Sequence, residues 1–175
     1  SGRLTETFPL SLSDVPSENA YRDEAVMLYS EGLNVGYRYF DTFRVPVLFP
    51  FGYGLSYSEF EYGDLSIERN GARVTVRFTI ENVSDTDGKE VAQVYVREIT
   101  KEVYRPNKEL KAFRKVFVRA HEKATVVMEL DESAFAYYSV AKDRWTVKPG
   151  VFEIIIAANV QEEKLSRRIC YGCNG

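Results

Sequence analysis

From about residue 60 onward the chain alternates apolar and polar residues with period two, run after run, with turn-forming residues between the runs. No other feature constrains the fold as strongly. Side chains of an extended strand point alternately to opposite faces, so the pattern calls for strands with one face buried. In "ARVTVRFTIEN", Ala72, Val74, Val76, Phe78 and Ile80 alternate with Arg73, Thr75, Arg77 and Thr79. Just before it, "DLSIER" sets Leu65 and Ile67 on one face, and Asn70-Gly71 offers the two positive-φ residues of a type I′ hairpin turn. With Arg69 opposite Ala72, Ile67 faces Val74 and Leu65 faces Val76, so both strands present apolar side chains to one side.

Further runs follow: "EVAQVYVRE" (90–98) after an Asp87-Gly88 turn, "ELKAFRKVFV" (109–118), "ATVVMEL" (124–130), "RWTV" (144–147) and, beyond Pro149-Gly150, "VFEIIIAA" (151–158). In the second of these, Leu110, Ala112, Val116 and Val118 share a face that Arg114 interrupts, with Phe113 and Phe117 opposite; a bulge or a two-sided strand would explain it. "DESAFAYY" reads as one helical turn started by Asp131. About seven short strands, spaced roughly 8–12 residues apart, imply an all-β sandwich of the immunoglobulin or fibronectin type III class. Paired core cysteines of the antibody type are missing, and Trp145, the only tryptophan, is expected as a core or edge-packing ring.

Residues 1–57 differ. "SLSDVPSENAYRDEAV" has no sustained period, and "YSEGLNVGYRYFD" holds at most one short strand around Leu33 to Phe40. So long a stretch without periodicity is unusual inside a compact domain, which points to a segment that belongs to, or wraps around, a neighbour. Its last part, "VPVLFPFGYGLSY", sets Phe49, Phe51, Tyr53 and Tyr57 among Pro46, Pro50, Gly52 and Gly54. Loops normally carry small or polar residues, so these rings need cover from a stacked sugar-like ring or from protein. No local sugar-handling constellation accompanies them, which favours protein: a stiff seam between domains. Without that neighbour, Phe49, Phe51 and Tyr53 are expected either to be exposed or to fold back on the sandwich.

Little catalytic chemistry is visible. The chain is 45% hydrophobic and 28% charged with a formal charge of −3, which disfavours disorder and a nucleic-acid partner. No run of about 18 apolar residues is present, so no membrane span is expected. The opening Ser1-Gly2 lacks an initiator methionine, suggesting a fragment or processed product, and leaves the compartment open. Cys170 and Cys173 have too few companions for a zinc site and no redox-motif context; a fraying tail or local disulfide fits them, and no metal or cofactor is expected. His121 lies in a polar turn. Asn82-Val83-Ser84 matches a glycosylation triplet that arises often by chance. Glu31 and Asp41 flank "GLNVGYRYF" and are the candidates for a glycosidase pair, yet Arg38 is close enough in sequence to neutralise Asp41, and nothing sets Glu31 opposite it.

The strings "SGRLTETFP", "YSEGLNVGYRYFD", "LFPFGYGLSYSEFEY", "GKEVAQVYV", "RPNKELKAFRKVFV", "ESAFAYY" and "WTVKPGVFEIIIA", in that order, resemble the C-terminal portion of family 3 glycoside hydrolases, bacterial β-glucosidases above all. The resemblance runs from Ser1 to about Ala158 and implies a three-part parent: a barrel with the nucleophilic aspartate, an α/β sandwich with the glutamate acid/base, and a fibronectin type III-like domain. Residues 1–57 would then be the end of the α/β sandwich and an interdomain linker, 58–168 the fibronectin type III-like domain, and 169–175 a tail. Neither catalytic motif has a match here, so no catalytic residue is assigned, and the substrate-binding residues stay open. The implied seam residues are structural: Tyr37, Arg38, Phe49, Phe51, Tyr53 and Tyr57. The implied partners are the catalytic domains of the same polypeptide and, for the intact enzyme, β-linked saccharides hydrolysed with retention. A homo-oligomer stays open. The alternative is a carbohydrate-binding or cell-surface adhesion module, since this fold hosts many functions.

Overall fold

The structure, a computed structural model, describes residues 2–18 and 31–173. In chain order its elements are β1 (Phe8–Pro9), α1 (Tyr37–Phe43), β2 (Val47–Phe49), β3 (Phe60–Asn70), β4 (Arg73–Asn82), β5 (Gly88–Glu98), β6 (Glu109–Val118), β7 (Lys123–Leu130), β8 (Tyr137–Ser139), β9 (Arg144–Thr146), β10 (Gly150–Asn159) and β11 (Glu162–Tyr171). The all-β expectation holds. One antiparallel sheet runs β3-β4-β7 and the other β11-β10-β5-β6. Between them Val74, Val76, Phe78 and Ile80 of β4 pack with Ala92, Val94 and Val96 of β5 and with Phe152, Ile154 and Ile156 of β10, all buried. Each large side chain of this kind contributes roughly 1.5–3 kcal/mol by leaving water.

The first hairpin is shifted from its expected register. Asn70 pairs with Arg73 and Ile67 with Val76, so the two-residue loop is Gly71-Ala72 and only Gly71 needs a positive φ (61°). A shift of two residues keeps every side chain on its face, which is why the core survives it. Further along, Gly63 pairs with Thr79 but Ser66 with Arg77, leaving Asp64 and Leu65 opposite Phe78 alone. Asp64 takes a φ of 53°, and its carboxylate accepts the Thr79 hydroxyl at 2.8 Å. This bulge switches the strand's parity, so Phe60 and Tyr62 before it and Leu65 and Ile67 after it all pack on the same core.

A second bulge settles the ambiguity in β6. Val94 pairs with Ala112 and Tyr95 with Leu110, which leaves Lys111 extra. Leu110 therefore turns away from the face of Ala112 and Val116 and joins Tyr95 on the other side of the sheet. Arg114 interrupts the inner face for a reason: its Nη1 donates to the Val127 carbonyl on β7 at 3.1 Å, tying together the edge strands of the two sheets.

Seven strands build the sandwich, but one is not the strand expected. "RWTV" gives β9, which pairs only with β8 in a separate ribbon, and Trp145 is exposed there against Tyr138 rather than in the core. The seventh place belongs to β11, whose run "EEKLSRRICY" carries few apolar residues because it forms the sheet's edge. It continues past the 168/169 division to Tyr171, and Cys170 and Cys173 form a disulfide at its end.

Around Leu33 to Phe40 there is no strand; the chain turns and then forms α1. Tyr37 and Phe40, three residues apart, share a helix face, and docking that face holds a helix too short to persist alone. Asp131 caps the expected turn at Glu132–Ala134, its side chain accepting from Ser133 N. In "SLSDVPSENAYRDEAV" the structure shows a 3-10 turn over Leu12–Asp14, while residues 19–30 lie outside the described residues.

Candidate interface site

Strand β10 is buried on both faces. Ile154 and Ile156 point into the sandwich, while Ile155 and Ala157 point out of it and are equally inaccessible. Their cover comes from the N-terminal segment: with Tyr95 and Val160 they form a second apolar cluster, against which Tyr37, Phe51 and Leu110 pack. An unbroken "IIIAA" is the sequence signal for a strand covered on two sides.

The cover is held by specific bonds. Phe51 stacks on Tyr37 with ring centroids 4.6 Å apart, and its carbonyl accepts from Val160 N at 3.0 Å. Gly52 N donates to the Leu4 carbonyl and Leu4 N to the Tyr53 carbonyl, both at 2.8 Å. Gly52 has a φ of 82°, and a Cβ there would stand 2.5 Å from Nε2 of Gln93, so only glycine fits. Gln93 is itself buried and bonded, donating to the Ala158 carbonyl at 2.8 Å and accepting from the Tyr95 hydroxyl at 2.6 Å. Burial pushes the Tyr95 phenol well above its ordinary pKa, with Tyr37 and Asp41 adding to the effect.

Helix α1 is clamped to residues 107–110. Tyr37's hydroxyl accepts from Leu110 N at 2.8 Å, Thr42's hydroxyl accepts from Asn107 N at 2.9 Å, and Arg38 meets Glu109 at 2.9 Å. Asp41 is neutralised by Lys108 at 3.4 Å and accepts from Asn107 Nδ2 at 2.8 Å; Arg38, drawn to Glu109, does not play that part. Glu31 contributes its carbonyl to a turn, accepting from Asn34 N. Buried Lys108 also meets Glu163 at 2.6 Å. Burial pushes Glu163 up, but Lys108 and Arg97 outweigh it and hold the carboxyl below its ordinary value.

At the other end of the segment, Arg3 pairs with the buried Glu90 and donates to the Gly54 carbonyl at 3.0 Å. The Tyr62 hydroxyl donates to Glu90 at 2.9 Å, and burial, followed by the carboxylate's charge, raises the Tyr62 phenol far above its usual range.

Among the described residues, the segment also carries bare apolar side chains. Phe8, Leu10, Leu12, Leu33, Val35, Phe43, Leu48, Leu55 and Tyr57 are exposed, Tyr57 to 99%. Among the expected seam residues, Tyr37, Arg38 and Phe51 thus face the sandwich. Exposed Phe49 and half-buried Tyr53 lie at the rim, their rings 5.0 Å apart, and Tyr57 stands in solvent. Folding back describes Phe51 and exposure describes Phe49.

Elsewhere, His121 takes a φ of 57° in an exposed turn beside Asp85 at 2.7 Å. Asn82 is buried: its Nδ2 donates to the carbonyls of Thr86 (2.8 Å) and Val118 (3.1 Å), and its Oδ1 accepts from Ser84 N and Oγ. Among the described residues no three His, Cys, Asp or Glu side chains gather as metal ligands would. No helix among them is long and apolar enough to cross a membrane.

A fibronectin type III-like domain model matches residues 90–160. The chain is 42% identical over 174 residues to thermostable β-glucosidase B of Acetivibrio thermocellus, a match covering 97% of this chain and 23% of that protein. The chain belongs with the C-terminal region of family 3 β-glucosidases. This family 3 segment is also 43% identical over 164 residues to an exo-α-(1→6)-L-arabinopyranosidase of Bifidobacterium breve, covering 93% of the chain and 22% of the relative. In three dimensions it matches the family 3 β-glucosidase of Bifidobacterium adolescentis with a TM-score of 0.93 at 38% identity, over 97% of the segment and 25% of that chain. β-Glucosidase 3B of Thermotoga neapolitana, in complex with α-D-glucose, matches with a TM-score of 0.91 at 38% identity, over 97% and 24%. The segment therefore spans about a quarter of the length of these relatives.

Proposed function

We propose that this chain is a noncatalytic buttress of a family 3 glycoside hydrolase whose intact form cleaves terminal β-linked sugars with retention. The observation that carries the reading is the uneven burial of the described residues 2–18 and 31–57. Tyr37 and Phe51 complete the outer face of the β11-β10-β5-β6 sheet, while other large apolar side chains of these residues stay in water. So much apolar surface on one segment marks a contact with protein. On this reading Tyr37, Arg38 and Phe51 anchor the seam, Phe49 and Tyr53 form its rim, and Tyr57 belongs to the neighbouring catalytic domains. Relatives of nearly equal likeness carry names for different sugars, a β-glucosidase and an arabinopyranosidase, which supports placing the sugar-reading residues outside this region.

The test is complementation. The Acetivibrio thermocellus relative, cut to lack the matching quarter, is assayed on an aryl β-glucoside with and without this chain added in trans. The chain alone is expected to be inactive, and its addition to raise the thermal midpoint of the truncated enzyme. Hydrolysis by the chain alone that disappears in Asp41→Asn or Glu31→Gln would overturn the noncatalytic assignment.

A further inference from the structure

The β8–β9 ribbon is a platform for one ring. Tyr138 and Trp145 pair across it, the rings meet edge to face at 5.8 Å and 79°, and the Tyr138 hydroxyl donates to Asp143. Trp145, held this way, is 69% exposed. Tyr104, 59% exposed, is oriented by Asn34, whose Nδ2 donates to its hydroxyl at 2.7 Å. Both rings line a groove of about 600 Å³, whose polar lining includes Arg38, Arg105, Glu109 and Lys111. Ligand sites commonly measure about 300–1,000 Å³.

Tyr104 and Trp145 are the exposed rings of the groove, and its deeper lining mixes charged side chains with buried Pro106 and Ala136. The side chains of Arg105, Glu109 and Lys111 are only 9%, 15% and 18% exposed. Burial lowers the Lys111 ammonium from its ordinary pKa, as its depth requires. Glu109 is bracketed by Arg38 at 2.9 Å, Lys111 at 3.6 Å and Arg105 at 3.9 Å.

We propose that this groove binds a neutral saccharide, one pyranose ring stacking on Trp145 and its hydroxyls bonding to the Glu109 carboxylate and its flanking Arg38 and Lys111. A pyranose has an apolar C–H face and a hydroxyl edge, so it matches a ring beside a set of paired donors and acceptors. Neutrality follows from the balance of charge: Arg38, Arg105 and Lys111 are set against Glu109, against Glu132 in the same lining, and against Glu98, which meets Arg105 at 2.9 Å. An anion or a cation would upset that balance in a partly dry site. The inference does not depend on the buttress reading.

Trp145 is the only tryptophan, so its emission reports this groove alone. The full chain is titrated with cellotetraose, laminaritetraose and maltotetraose, followed by fluorescence and calorimetry. At least one is expected to give a saturable emission change. Trp145→Ala should weaken its calorimetric affinity about tenfold or more, the usual scale for a stacked aromatic anchor, and Tyr104→Ala should weaken it less. Both side chains are exposed, so an unchanged thermal midpoint is expected to show that the variants fold. No saturable signal up to about 10 mM sugar, corresponding to less than about 3 kcal/mol of binding, would overturn the proposal. So would affinity indifferent to Trp145→Ala, tighter binding of a uronic-acid oligosaccharide, or a Trp145 response only to the catalytic portion of a family 3 relative.

Discussion

The sandwich and the N-terminal segment bury their aromatic residues by opposite routes. In residues 60–171, Phe78, Phe135 and Phe152 disappear between two sheets made from the same stretch of chain. In the described part of residues 2–57, Phe51 and Tyr37 are covered because β5 and β10 supply a floor, while Phe8 and Leu48 stay exposed and Tyr57 stands wholly in solvent. The difference teaches that one region carries its own hydrophobic driving force while the other borrows it. Cooperative stability should reside in the first, and sensitivity to a neighbour in the second.

Breaking the sandwich should have the largest effect. Phe78 is fully buried and stacks on Tyr62, so Phe78→Ala is expected to cost about 3–5 kcal/mol in urea unfolding and to release the N-terminal segment with it. A variant that unfolded the sandwich while leaving residues 2–57 protected from hydrogen exchange would reverse that dependence. Next comes the junction of the two regions. Arg3→Ala strands Glu90 in the interior and is expected to cost about 3 kcal/mol; adding Glu90→Gln should restore part of it. A loss below about 1 kcal/mol, the scale of a surface pair, would mean that Arg3 does not latch the segment.

A smaller, pH-dependent effect should appear where α1 meets β11. Because the folded Glu163 carboxyl lies below its ordinary value of 4.5, its contribution is present above that pH and is lost as the pH falls through the depressed folded value. Hydrogen exchange of the α1 amides is the readout, and Glu163→Gln should flatten the acid limb. The smallest effect is expected at the bare face: Tyr57→Ser or Leu48→Ser should change the stability of this chain by less than about 0.5 kcal/mol. The same changes should lower affinity for the truncated relative in trans. If they destabilise the isolated chain instead, the bare face is already covered by another copy, and sedimentation equilibrium will show it.

The sandwich was legible because period-two alternation survives ignorance of register. Asn70-Gly71 pointed to the right hairpin with the wrong pairing, yet a two-residue error left Val74 and Val76 inside. The bulges at Asp64 and Lys111 were hidden, since each depends on partners distant in sequence. Strand β11 was missed because an edge strand can satisfy its pattern with charges. Around helix α1 the sequence offers at most a short strand, because Tyr37, Tyr39 and Phe40 favour extended structure locally, and docking on residues 107–110 decides otherwise. At the candidate site, composition marked Phe49, Phe51, Tyr53 and Tyr57 alike. Which of them faces inward depends on β10, where the run from Ile154 to Ala158 already announced a covered outer face.

Asn82 has a consequence for producing the protein. Both of its amide hydrogens and both acceptor positions are engaged inside the fold. In a secretory host, an oligosaccharyltransferase that reached Asn82-Val83-Ser84 on the nascent chain would attach its glycan to the nitrogen that must later hold the Thr86 and Val118 carbonyls. Glycosylation and folding would then compete for one atom, and modified molecules would accumulate as quality-control substrates.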